Sequence, residues 1–353
     1  MKKKVSLVFP CWHSAQHMPH VLEDLQAQTF PDFEAILVND GDDCQTEVME
    51  AIAAQDSRIR IIRIEQNSGV AAARNAGTDA VTTNWVTYPD PDDRFGPNYI
   101  KSLYEAVDGT GVEMVCGGFT KYDVDSNKYS SAPIQVEHSP KVLNFATGYE
   151  LMLPFWIFTM SWNKLYNMEI IRKNGLYQDV NFKNNQDYDF NIRYFPFVKN
   201  AGLISDCEYV YYQYTDISNT SRYNPQFMQN KHDIIYRRAR LHRQLGWTEE
   251  RINEVKEYEF ASVGLNMCRQ LFSIDSPLSI DDATKKIQAE LFGQPEIVNA
   301  IFKKNFGKYR QGQLFQWLVR KGNARRLAIV FKVLVVSKRH FGKLYKITKS
   351  FYR

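Results

Sequence analysis

The apolar and polar positions change period repeatedly along the first hundred residues. Val5–Cys11 is a short apolar run rich in β-branched residues and reads as a strand. From Pro19 to Gln28 the spacing turns helical, with Val21, Leu22 and Leu25 on one face. Pro19 suits a first helical position, where its missing N–H has no partner to lose. Phe33–Val38, Ile59–Ile64 and Trp85–Tyr88 read as further strands, Thr46–Ala54 and Val70–Ala80 as helices. Such alternation predicts βαβ units and a mostly parallel sheet, whose ligands bind beyond the carboxyl ends of the strands.

A helix over Tyr99–Val107 and a strand over Glu113–Cys116 follow. Residues 120–145 are polar and turn-rich, as in a hairpin or loop, and 146–215 mix both patterns. From Pro225 to Phe292 the chain reads as helical. The pattern therefore predicts an α/β domain over 1–220 and a helical region over 221–353, with no internal repeat or low-complexity tract.

Polar residues gather where the expected strands end: Cys11-Trp12-His13, Asn39-Asp40-Gly41 and Asp90-Pro91-Asp92-Asp93. Three carboxylates in one four-residue loop repel each other unless a cation sits among them. Mg²⁺ and Mn²⁺ prefer such oxygen ligands and share them with phosphates. The plainer alternative is an acidic turn that caps the next helix. His13, His17 and His20 form another cluster, read as solvated loop residues rather than a metal site.

Composition narrows the class. At 44% hydrophobic and 24% charged, the 353 residues suit a globular protein. Five scattered Cys without a CxxC pair argue against disulfides and zinc, and fit a reducing cytoplasm. The basic start MKKK is followed by too short an apolar run for a signal peptide, and no apolar stretch of transmembrane length is expected. The net charge of +4 hides an asymmetry: Ile297–Arg353 holds 15 Lys or Arg and no Asp or Glu, leaving 44 − 15 = 29 basic against 40 acidic residues elsewhere. In 325–353 basic and apolar residues interleave, with Leu327, Val330, Phe331 and Leu334 on one helical face. This predicts peripheral attachment to an anionic membrane surface; a helix packed on the body and an arm for nucleic acid are the alternatives, and no nucleic-acid motif occurs upstream.

Four ordered blocks resemble the family 2 glycosyltransferases of the GT-A fold: FPCWH at 9–13, LVNDGDD at 37–43, NSGVAAARNAG at 67–77 and DPDD at 90–93. SWNKLYNMEII at 161–171, NNQDYDFNIRY at 184–194, YYQY at 211–214 and SNTS at 218–221 extend the resemblance. It implies inverting transfer of a hexose or N-acetylhexosamine from a UDP-sugar to a hydroxyl of a glycan or lipid-linked glycan, in capsule, O-antigen or lipo-oligosaccharide assembly. It places Pro10, Trp12, Asp40, Asn67, Arg74, Asp90 and Asp92 at the donor. Trp12 would stack on the base, Asp40 accept from a uracil N–H, and Arg74 lie near the pyrophosphate, unless it pairs with a core carboxylate instead. Asp92 and Asp93 would divide contact with the ribose and a Mn²⁺ or Mg²⁺ ion between them. Trp162, Asn163, Lys164 and Gln186 would form the sugar and acceptor side. Asp187 would be the general base that takes the acceptor proton, with Asp189 as rival; on a helix the two point apart, so only one faces the site. Arg193 is not paired with Asp187. Asn39 stands where the family has Asp, Gln186 where it has Glu, and 211–221 lack the usual His or Arg, so no third metal ligand is identified.

Two other readings stand beside this one. A sugar-nucleotide pyrophosphorylase would need a Gly-rich basic loop after the first strand, which PCWHSAQ lacks. A non-catalytic glycan-binding or scaffold homologue is the other.

Overall fold

The β-branched run at the N-terminus forms β1 (Val5–Cys11), every residue of it buried. The alternation then continues as α1 (Met18–Gln26), β2 (Phe33–Asp40), α2 (Thr46–Ala53), β3 (Ile59–Ile64), α3 (Val70–Asp79) and β4 (Trp85–Thr87). The computed structural model describes residues 3–132, 134–152, 159–214, 222–273 and 275–340. It divides into two compact units, Met1–Thr215 and Asp216–Arg353.

The first unit continues with β5 (Arg94–Phe95), α4 (Tyr99–Glu105), β6 (Met114–Gly117), β7 (Phe119–Asp123), β8 (Lys128–Ala132), β9 (Lys141–Asn144), α5 (Phe145–Met152), β10 (Lys164–Asn167), α6 (Met168–Asn174), α7 (Gln186–Tyr194), β11 (Asn200–Ile204) and β12 (Tyr209–Gln213). Eight strands form one sheet in the order β3-β2-β1-β4-β10-β6-β11-β9. β1 to β4 are parallel, and β10 runs antiparallel between β4 and β6. The sheet is thus mostly parallel, with helices flanking it, as the pattern predicts. β2 outruns its predicted end by two residues because Asn39 and Asp40 stay in register with Arg63 and Ile64. The polar stretch after residue 120 does contain a hairpin, β7–β8. Its first strand also joins β5 and β12 in a second, four-stranded sheet that local pattern does not reveal. Pro10 is tolerated inside the main sheet because β4 pairs with β1 only from Val5 to Leu7.

The second unit is helical: α8 (Phe227–Gln244), α9 (Glu249–Gln270), α10 (Ile280–Lys286) continued by a π-helical turn (Ile287–Phe292), α11 (Pro295–Lys303), α12 (Arg310–Arg320) and α13 (Ala324–His340). Thr248 starts α9 by accepting the Arg251 N–H, and Ser279 does the same for α10 with Asp282. The face of α13 expected at a lipid surface is turned elsewhere. Leu327 and Phe331 are fully buried with Phe315, Ile287 and Leu291 in the core of this unit. Apolar area covered by protein is not available to lipid, so the packed-helix alternative describes this part of the tail. Residues 341–353 lie outside the described residues. No described helix is long and apolar enough to cross a membrane.

Candidate functional site

The ends of β1 and β2 are held together by side chains. Asn39 accepts from the Asp42 N–H (3.0 Å) and Gln45 Nε2 (2.9 Å), and donates to the Asp42 carbonyl (2.9 Å) and Thr46 Oγ1 (3.0 Å). A carboxylate could not make the two donations, which accounts for Asn at this position. Asp42 in turn accepts from the backbone N–H of His13 and stands 3.1 Å from its ring Nδ1. Gly41 (φ 72°) needs its missing side chain, since a Cβ would lie 2.4 Å from the Asn67 nitrogen.

Asp40 is only 2% exposed. Its carboxylate accepts from the Ser68 N–H (2.9 Å), the Gly69 N–H (2.8 Å) and Asn67 Nδ2 (3.1 Å). The structure therefore shows Asp40 bracing the loop that starts α3, with Asn67 as part of that brace. The uracil contact expected of Asp40 meets a carboxylate whose oxygens already have partners. Pro10 is buried within β1. Trp12, by contrast, is 44% exposed and lies against the His13 ring (centroids 4.1 Å apart), a flat face open to a planar ligand.

The acidic loop after β4 splits by environment. Asp93 is buried; it accepts from the Tyr209 hydroxyl (2.7 Å) and the Tyr212 N–H (2.8 Å). Burial, with Asp92 and Asp90 adding to it, pushes its carboxyl well above the usual range. These two hydrogen bonds, one to each oxygen, fasten the loop to β12. Asp92 is exposed to solvent, though protein surrounds it on most sides. Desolvation and the Asp90 charge push it up to about 6. Asp90 is half-buried; one oxygen accepts from Arg74 Nη2 at 2.6 Å. The phenols of Tyr211 and Tyr214 sense the same charges: burial and Asp93, Asp90 and Asp92 raise Tyr211 to about 12, and burial, Asp92 and Asp93 raise Tyr214.

The described residues hold no group of three or more His, Cys, Asp or Glu suited to a metal. The open Asp92 carboxylate and the free Asp90 oxygen do fit a hard cation that takes its remaining ligands from water and a diphosphate.

Arg74 crosses from the donor rim to the opposite wall. Its guanidinium is buried; Nη1 donates to Asp187 and Nη2 to Asp90. Pairing with carboxylates, the plainer alternative for this residue, is what the structure shows. Burial works against the charge of Arg74, but Asp187 and Asp90 outweigh it, and its shift is upward. Asp187 also shifts upward, through burial first and Asp90 second, against Arg74 and Lys164. One guanidinium divided between two carboxylates does not fully offset the desolvation of either. Asp187 keeps 19% of its side chain exposed, so that desolvation is partial.

Asp187 occupies the first turn of α7, entered through Asn185 in the left-handed region (φ 69°). Asp189 turns away: it is buried and ion-paired with Arg193 at 2.7 Å, one turn on. Gln186 begins the helix with its Oε1 buried and without a hydrogen-bond partner.

The WNK block departs furthest from expectation. Trp162 is 3% exposed. It stacks on Tyr209 (4.4 Å, 7°) and Tyr211 (5.5 Å, 14°), with Phe119 edge-on at 4.7 Å. Asn163 donates to the Gly117 carbonyl at 2.8 Å, and Lys164 donates to Asn163 Oδ1 (2.9 Å) and the Met160 carbonyl. All three are buried, so none lines a sugar surface; their assignment to the acceptor side is corrected. Both sheets cover the block: Trp162 packs on Tyr209 and Tyr211 of β12 and Phe119 of β7, and Lys164 begins β10 inside the main sheet.

Two participants were not singled out from sequence. Tyr209 anchors Asp93 and also accepts from the Asp90 N–H at 3.1 Å. The alternation of Tyr209 and Tyr211 on one strand face was the available signal. Gln178, buried against Arg74 and bonded through its backbone to Asn75, carried none.

Residues 6–175 match the sequence profile of Glycosyl transferase family 2. The chain is 28% identical over 221 residues to glycosyltransferase GlyG of Streptococcus pneumoniae, covering 60% of this chain and 71% of that one. It is 27% identical to the uncharacterized glycosyltransferase EpsJ of Bacillus subtilis, covering 59% and 60%. The chain thus spans between three fifths and three quarters of these two relatives. Among solved structures, residues 1–349 of S. aureus TarS superpose with a TM-score of 0.62 at 18% identity, covering 96% of this chain and 92% of that one; the same protein has been crystallised with UDP and with UDP-GlcNAc. The likeness to TarS bears on the fold. Over residues 6–175, just under half of the chain, and in the ordered rim motifs and the sheet that carries them, the protein is similar to glycosyl transferase family 2.

Proposed function

We propose that the protein moves a hexose or N-acetylhexosamine from a UDP-sugar to a hydroxyl of a surface glycan or lipid-linked glycan, with inversion at the anomeric carbon. One observation carries this reading: Arg74 joins Asp90, on the exposed acidic loop, to Asp187, on the facing helix, through a single guanidinium. A donor-side carboxylate and a candidate base are thus held by the same buried side chain, which fixes their relative position before substrate binds. Trp12 offers its open face to the base. Asp92 and the free oxygen of Asp90 would hold a Mn²⁺ or Mg²⁺ ion, which when bound offsets the charge of the departing diphosphate. Asp187 takes the acceptor proton. Its upward shift suits that task, because a base with proton affinity nearer neutrality accepts a proton more readily in the transition state. Asp189, locked to Arg193, has no comparable access.

The complexes of TarS with UDP and UDP-GlcNAc support UDP as the nucleotide to try first. The test is release of UDP from a panel of UDP-sugars in the presence of Mn²⁺, with and without candidate glycan acceptors. Acceptor-stimulated release supports the reading; its absence with every UDP-, GDP- and dTDP-sugar contradicts it and leaves the non-catalytic homologue.

A further inference from the structure

Lys164 is a fully buried cation with no carboxylate at ion-pair distance among the described residues. Burying an ammonium without a counter-charge is costly, and a Met of similar length would fill the space without that cost. Its surroundings show what it holds. The ammonium donates to the Met160 carbonyl, and the same oxygen accepts from Asn191 Nδ2 at 3.0 Å. Asn191 lies on α7, the helix whose first turn carries Asp187, and its Oδ1 accepts from the Tyr166 hydroxyl (2.6 Å) on the strand that bears Lys164. A closed loop of hydrogen bonds therefore ties β10 to α7 through one carbonyl.

We propose that Lys164 is a positioning residue for Asp187: by gripping the Met160 carbonyl together with Asn191 it fixes α7, and it supplies a positive charge on the protein side of the carboxylate. The inference rests on the reading of Asp187 as the general base. The charged groups that face Asp187 are Arg74 on α3, Asp90 on the loop after β4 and Lys164 on β10. Those that face Lys164 are Asp187 and the thiols of Cys116 and Cys207. Burial pushes both thiols upward, so they stay neutral and provide no counter-charge. Burial also lowers Lys164 to about 8, which leaves it charged at neutral pH. Arg74 is shared with Asp90, whereas Lys164 has no other carboxylate to serve.

The experiment compares Lys164→Met, Lys164→Gln, Lys164→Arg and Asp187→Asn in the full chain, by turnover from about pH 5 to about pH 9 and by UDP titration. Removing the charge raises the proton affinity of Asp187, so the acidic limb of the kcat profile should move up by about one pH unit in Lys164→Met and Lys164→Gln. Their kcat should fall by about tenfold or more with UDP affinity unchanged. Lys164→Arg should restore the limb, because it keeps the charge. Lys164→Gln retains a donor for the Met160 carbonyl and carries the test if Lys164→Met does not fold. An acidic limb that coincides with the unmodified protein, or a loss confined to UDP affinity, overturns the proposal. Turnover that survives in Asp187→Asn sinks the base reading instead, whatever the Lys164 variants do.

Discussion

The rim at the ends of β1, β2 and β4 and the segment from Trp162 to Asp189 carry motifs of equal polarity, yet the structure uses them in opposite ways. On the rim, polar groups brace one another at strand ends and leave Trp12 and Asp92 open. In the second segment Trp162, Asn163 and Lys164 are buried, while Asp187 stays partly exposed and pairs with Arg74. A polar or aromatic residue at the end of a parallel strand has solvent in front of it by construction. A residue just before an antiparallel strand can instead be covered by a second sheet, as Trp162 is by Tyr209, Tyr211 and Phe119. Motif resemblance identifies the segment in both cases, but topology decides which side chains can meet a ligand.

That contrast can be broken experimentally. The largest effect should be at α7. Asp187→Asn removes the proton acceptor while keeping shape, and turnover should fall by about 10²–10⁴ with UDP affinity intact. Asp189→Asn should instead lower the melting temperature by weakening the buried pair with Arg193. Kinetics that reversed these roles would exchange the two carboxylates.

The aromatic pair comes next. Trp162→Ala should cost about 3–5 kcal/mol of stability, since it empties the stack on Tyr209 and Tyr211. Trp12→Ala should leave stability nearly unchanged and weaken UDP by about 1–3 kcal/mol, the worth of one base stacked on an aromatic. Thermal melts and titrations of both variants check the contrast; equal stability losses would contradict it.

Within the acidic loop, Asp93→Ala should destabilise by about 1–3 kcal/mol because the Tyr209 hydroxyl and Tyr212 N–H lose their acceptor. The smallest effect concerns pH. Folded, Lys164 loses its proton near about 8, against 10.5 as its ordinary value. Between these values the unfolded state binds the extra proton, so this residue's contribution to stability rises with pH. The stability difference between the unmodified protein and Lys164→Met should shift toward the former as pH rises from about 7 to about 9.5. Denaturant melts at both pH values read it, and a pH-independent difference would mean that Lys164 titrates normally.

Much of this arrangement was legible beforehand. β1 and β3 run over the residues that apolar periodicity marks: β1, inside the sheet, is buried throughout, whereas β3 lies at the edge and is only partly covered. The three polar strand ends likewise followed from period and punctuation. The second sheet did not, because β7 pairs with β12 ninety residues further along the chain. Nor did the split between Asp92 and Asp93: two adjacent carboxylates look alike until Tyr209, 116 positions from Asp93, takes one of them inward. Burial of Lys164 was hidden for the same reason, since only the insertion of β10 between β4 and β6 encloses it.

The most direct test is a calorimetric titration of the protein with UDP, with and without Mn²⁺, repeated for Asp92→Ala. The account predicts binding that strengthens with Mn²⁺ and loses that dependence in Asp92→Ala, with no change in melting temperature. UDP binding that is absent under both conditions, or cation-dependent binding that survives Asp92→Ala, would contradict it.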